Sequence, residues 1–134
     1  MSKNTPQDVA TFLSAAGIGL TLGTNLFLGS PKDSRGNIPN NSVFILGGSG
    51  ARPERTMGEV SEIRRPITHV RLRYNKFQTG DTMARSIQDT LRAASISGYL
   101  DVVALQSEPQ NLGSDMEGRY LWNIGYQLSF EDSA

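Results

Sequence analysis

The chain contains no cysteine and a single histidine, His69. Those shortages exclude a disulfide scaffold, thiolate metal sites, a cysteine nucleophile and any zinc site built from several imidazoles. Charge of one sign is missing too: thirteen Lys and Arg balance thirteen Asp and Glu in 134 residues. A dedicated nucleic-acid binder normally carries a basic surplus, so neutrality argues against that class. There is no run of about 18 apolar residues, so no membrane span is expected. The uncharged stretch 9–23 follows Lys3 and has the outline of a signal-peptide core. Asp8 directly before it, and Thr11, Ser14 and three glycines within it, favour another assignment.

What remains is an ordinary globular composition with a loop-rich tilt: 37% hydrophobic, 19% charged, fourteen glycines and six prolines. This length suits one domain, which can bury roughly two thirds of its unfolded surface. The charges are unevenly spread. Arg52, Arg55, Arg64, Arg65, Arg71, Arg73 and Lys76 face Glu54, Glu59 and Glu62, a balance of +4 over residues 52–76. Asp101, Glu108, Asp115, Glu117, Glu131 and Asp132 face only Arg119, a balance of −5 over residues 101–134. A neutral molecule with a basic and an acidic region can associate head to tail with its own copies, and such contacts close into rings. Two differently charged solvated faces give the same composition.

Thr5 as N-cap, Pro6 in the first turn and the spacing Val9, Phe12, Leu13, Ala16 predict a helix ended by Gly17. Leu26–Leu28 and Val43–Leu46 read as strands, the second buried on both faces. Residues 47–66 offer no clear element, with Gly48, Gly50, Pro53, Gly58 and charges of both signs, and are expected to form an extended loop or arm ordered by a partner. Thr68, Val70, Leu72 and Tyr74 alternate with His69, Arg71 and Arg73, which predicts a half-buried strand with a basic outer face. A helix capped by Thr79 or Asp81, with apolar face Ala84, Ile87, Leu91 and Ala94, precedes Gly98. Residues 102–105 form a strand, 109–118 a polar turn. Tyr120, Trp122, Ile124, Tyr126, Leu128 and Phe130 form the inner row of a last strand. The expected fold is one α+β domain over residues 1–134. It has a mixed or antiparallel sheet of about four to five strands, two helices packed on one face and a long inter-strand loop.

No set of residues assembles a reaction. His69 lies between arginines and has no Gly-x-Ser-x-Gly elbow to serve. Gly47-Gly48-Ser49-Gly50 lacks the Lys-Ser/Thr ending of a phosphate loop. Asp115 and Glu117 are too sparse for a calcium loop. Pro109-x-x-Leu112-Gly113-x-Asp115-x-x-Gly118-Arg119 instead has the chemistry of a specified turn, with two glycines for positive φ and an aspartate to bond the backbone. Arg64, Arg65, Arg71 and Arg73 form the densest basic group; they suit an acidic neighbour, DNA phosphates or plain solvent. No catalytic, cofactor or metal residue is assigned.

The order of these segments resembles the tailed-bacteriophage minor capsid and tail-terminator (head–tail joining) proteins. The resemblance rests on Pro66-Ile67-Thr68-His69-Val70-Arg71-Leu72-Arg73, the helix with Ala84-x-x-Ile87-x-x-x-Leu91, and Glu108-Pro109 through Gly118-Arg119 leading into the aromatic strand. Asn25-Leu26-Phe27-x-Gly29-x-Pro31 and the strand closed by Gly47 and Gly48 fit the same layout. The long charged segment 49–65 departs from it. The resemblance implies a ring-forming structural subunit of the virion neck, assembled in the host cytoplasm. It would be a hexamer that caps the tail tube and docks on a head-side connector or portal-proximal protein, with non-specific DNA contact in the lumen and no membrane or cofactor. On that reading Arg52, Arg55, Arg64, Arg65, Arg71, Arg73, Asp115, Glu117 and Arg119 are the candidate interface or lumen residues. A dodecameric head–tail adaptor beneath the portal is the alternative of the same class. A small-molecule binding module or enzyme of α+β fold is the alternative from another.

Overall fold

The first helix, α1 (Thr5–Ala15), is capped by Asn4, one residue earlier than the sequence pattern places the cap. Asn4 Oδ1 accepts the Gln7 backbone N–H at 3.3 Å. Thr5 is drawn away from capping because it is buried, with its Oγ1 3.2 Å from the Tyr99 hydroxyl. Val9, Ala10 and Leu13 point into the core, and Gly17 at φ +75 follows the helix end. The computed structural model describes residues 4–29, 41–47, 51–55, 61–92, 94–115 and 118–133, with the backbone alone at 51–55, 61–62 and 132–133.

The remaining elements are β1 (Leu26–Leu28), β2 (Ser42–Gly47), β3 (Ala51–Arg55), β4 (Ser61–Arg65), β5 (Ile67–Tyr74), α2 (Phe77–Arg92), β6 (Asp101–Ala104), β7 (Gln110–Ser114) and β8 (Tyr120–Ser133). The strands form one eight-stranded sheet in the order β1-β2-β5-β8-β4-β3, and β6 and β7 pair with β8 as well. β1 runs parallel to β2 and every other pair is antiparallel, so the sheet is mixed and the fold is α+β. The expectation of four to five strands falls short by β3, β4 and β7. Residues 51–55 and 61–65, expected as loop, pair with each other, and β4 also pairs with β8. Residues 110–114, expected as turn, pair with Tyr120–Asn123. All three strands are polar and short, and their partners lie far away or across a turn, which local propensity cannot report.

β8 organises the sheet. Its register against β4 and β5 is unbroken from Ser61 opposite Ser133 to Tyr74 opposite Tyr120. Pro66 sits inside this ladder without an N–H, yet its carbonyl accepts Leu128 N–H at 3.0 Å. Alternation along β5 and β8 then sends Val70, Leu72, Trp122, Ile124, Tyr126 and Leu128 to one face, joined by Val43 and Ile45 of β2. Both helices cover that face. Tyr126 donates its hydroxyl to the Gln88 carbonyl of α2 at 2.7 Å, and a Cβ at Gly47 would lie 3.2 Å from Pro6 of α1. In β2, Val43 and Ile45 are fully buried on this side, while Phe44 and Leu46 on the other are only half-buried, so the run 43–46 is not equally buried on both faces.

Helix α2 starts at Phe77, ahead of the expected Thr79 or Asp81. Phe77 secures that first turn by packing its ring 5.6 Å from Tyr120 and 5.5 Å from Trp122. Ala84, Ile87 and Leu91 are buried as their spacing predicts, and Gly98 at φ +88 lies beyond the end.

Candidate functional site

The alternation that buries Thr68, Val70, Leu72 and Tyr74 places His69, Arg71 and Arg73 on the face opposite the helices. The unbroken register carries Arg65 to that face as well. Arg64, its neighbour in β4, lies on the helix side opposite Phe130. The basic group of the sequence is therefore split by the strand, three arginines to one face and one to the other. Arg71 is exposed, Arg73 half-buried, and Arg64, Arg65 and Arg73 each engage a partner.

Around these cations the helix-free face is mixed. Phe44 and Leu46 of β2 stand opposite Arg71 and His69. Leu121, Asn123 and Gly125 of β8 stand opposite Arg73, Arg71 and His69. Asn123 is 7% exposed, and its Oδ1 and the Nδ1 of His69 are buried without a hydrogen-bond partner among the described residues. An unmet acceptor of this kind costs about 1–3 kcal/mol. On β6, Val103 lies on the same face and is 50% exposed. Leu105, whose N–H bonds the Gly125 carbonyl, is 44% exposed.

Arg52 and Arg55 belong to β3, where Arg55 stands opposite Glu62. β3, β4 and the last residues of β8 extend the sheet as a three-stranded arm whose sequence is mostly charged. Helices α1 and α2 pack on β1, β2, β5, β6 and β8, not principally on β3 or β4.

Asp115 and Arg119 form a different kind of site. Asp115 Oδ1 accepts the Arg119 backbone N–H and Oδ2 accepts its Nε, both at 2.9 Å. The backbone closes the same turn, with Asp115 N–H to the Arg119 carbonyl at 2.8 Å and Gly118 N–H to the Asp115 carbonyl at 3.1 Å. Gly113 and Gly118 take φ +90 and +78, as the turn reading requires. The two charges thus satisfy each other and hold the β7–β8 hairpin. Glu117 lies outside the described residues.

Three tyrosines have raised hydroxyl pKa values. Burial, then the bond to the Asp8 carboxylate at 2.6 Å, pushes Tyr99 up to about 12. Burial does the same for Tyr126, up to about 12, and raises Tyr74. All three stand in packing positions and keep neutral hydroxyls in the core. Among the described residues no three His, Cys, Asp or Glu side chains gather to hold a metal, and no helix is long and apolar enough to cross a membrane. An open groove of about 540 Å³ lies between Ile18 and the Lys76, Thr79 and Met83 side of α2. A smaller one of about 270 Å³ lies between Asp8, Phe12 and Ile96. Neither contains His69 or an arginine.

No known protein family matches the chain, and no curated protein is significantly similar to it. Two features escape the sequence. Asn123 reads as an outward polar residue and is in fact buried, because β5 and β7 flank it on both sides. Asp101 reads as one acid among several and is exposed at the start of an edge strand. The signal available for Asn123 was an amide in the middle of the most apolar strand.

Proposed function

We propose that this protein is a structural subunit of a tailed-bacteriophage neck, a ring-forming tail terminator that caps the tail tube and joins it to the head. The observation that carries this reading is the charged three-stranded arm of β3, β4 and the end of β8, set on the long hairpin that the Pro66 segment continues. An arm rich in charge, on which neither helix principally packs, gains its burial from a neighbour. The Pro109-to-Arg119 segment supports the same reading. The residues that carry the family resemblance form a locked hairpin that fixes the register of β8.

In this mechanism the work is done by complementary surfaces. Copies close a ring, hexameric on this reading, one side of the ring covers the last tube layer and ends its growth, and the other side meets a head-side connector. Arg52, Arg55, Arg64 and Arg65 lie on the arm and are the residues closest to an acidic neighbour or to DNA in the lumen. No bond-making step is assigned to the chain, and no cofactor is needed.

The test is a deletion of the gene in the phage that carries it. The expected result is tubes of uncontrolled length and heads without joined tails, restored by the protein supplied in trans. Particles of normal build and infectivity contradict the reading. Turnover of a small substrate by the purified chain favours the enzyme alternative.

A further inference from the structure

Among the described residues, the helix-free face carries two opposite charges with no ionic partner, Arg71 and Asp101. Among the described residues, Arg85 pairs with Asp81, Arg92 with Asp89 and Arg119 with Asp115, while Arg64, Arg65 and Arg73 are also engaged. Arg71 is exposed and meets no acidic partner among the described residues. The carboxylates divide the same way. Asp8 accepts from Tyr99, Glu108 lies 3.5 Å from Arg85, Glu131 is engaged, and Asp81, Asp89 and Asp115 hold the arginines just named. Asp101 is the exposed acid that is left over among them.

Register places both residues on one face. Arg71 stands opposite Asn123 and Asp101 opposite Ser129, an even number of positions apart along β8. Six positions of strand are about 20 Å, far beyond ion-pair reach, so the two cannot neutralise each other within one chain. The same face bears the half-exposed Val103 and Leu105, with Leu121 half-buried beside them. It also bears the buried, unsatisfied Asn123 Oδ1.

We propose that this face is a two-fold self-association surface whose occupant is a second copy of the chain. An axis lying between the two faces, midway between the charged positions, brings Arg71 of each copy to Asp101 of the other. Val103, Leu105 and Leu121 then fill the space between two sheets stacked about 10 Å apart. Nucleic acid is a poorer occupant, because Asp101 repels phosphate, the leucines offer it nothing, and Arg65 and Arg73 on this face already engage partners. The inference goes beyond the ring reading and does not rest on it, since it uses one face of the sheet and not the charged arm.

The test is native mass spectrometry and light scattering on the full chain, Arg71→Glu, Asp101→Arg, the double variant, and an equimolar mixture of the two single variants. Each single variant is expected to halve the assembled mass, or to weaken association at least about tenfold, through like charges brought face to face. The double variant and the mixture are expected to restore the wild-type mass, which also shows that the single variants fold. A wild-type dodecamer falling to hexamers supports both this surface and the ring. A dimer falling to monomers supports this surface and removes the ring. A hexamer indifferent to both substitutions overturns this surface and leaves the ring standing. A chain that stays monomeric at all concentrations overturns both. Salt-dependent retention of duplex DNA lost in Arg71→Glu, at unchanged mass, assigns the face to nucleic acid and overturns the proposal.

Discussion

Gly80 is buried where α2 packs against Trp122 and Tyr74 of the sheet. A methyl group there would clash with Trp122 Cζ3 and Cη2 and lie 2.9 Å from Tyr74 Cβ. Trp122 is 1% exposed and cannot swing away. Gly80→Ala is expected to lose about 1–3 kcal/mol or more by overpacking, despite alanine's better helix propensity. A lower urea midpoint checks it; an unchanged or higher one shows that the helix shifts freely. The tyrosines set a second expectation. Their hydroxyls ionise near 10 when unfolded but only near 12 in the fold at Tyr99 and Tyr126. A raised folded pKa contributes stability that is intact below pH 10 and is lost as pH climbs through about 12. The urea midpoint should fall across that window, and less steeply in Tyr99→Phe. The inner row of β8 was readable residue by residue, because a period of two needs no knowledge of neighbours. Asn123 was not, because its burial comes from β5 and β7.

At the scale of elements, one side chain, that of Asp115, reinforces the backbone closure of the β7–β8 hairpin. Asp115 makes both side-chain bonds to Arg119, and these side chains are only 24% and 14% exposed. Asp115→Ala is expected to lose about 1–3 kcal/mol, the range for charged hydrogen bonds with a partner left behind. An equal loss in Arg119→Ala alone and in the double variant would confirm that the two act as a pair; additive losses contradict it. This turn was legible, since glycine and aspartate announce their backbone demands locally. The strand leading into it, Gln110–Ser114, was hidden by its exposed polar residues. The arm was hidden for the same reason. β3 and β4 carry Arg52, Glu54, Arg55, Glu62, Arg64 and Arg65 around the apolar Ile63, with no period to read. Their stability depends on each other and on β8, so amides of 61–65 are expected to exchange with deuterium well before those of 68–74. Equal protection in the monomer would show an arm that needs no partner.

For the whole molecule, neutrality conceals a division of labour. One face of the sheet is closed by α1 and α2 over an apolar core, and the other is left with Arg71, Asp101 and half-exposed leucines. The α+β class followed from the order of periodic segments, while the eight-strand sheet did not, because β8 recruits four partners from the rest of the chain. On the proposed reading, the exposed charges and strand edges of this face and arm are completed by copies of the chain and by its neighbours. The measurement that tests this most directly is the number of copies in assembled particles, counted by cryo-electron microscopy of the neck. The expected result is a closed ring of six at the junction of tube and head. Particles that contain no copy of this chain would contradict it.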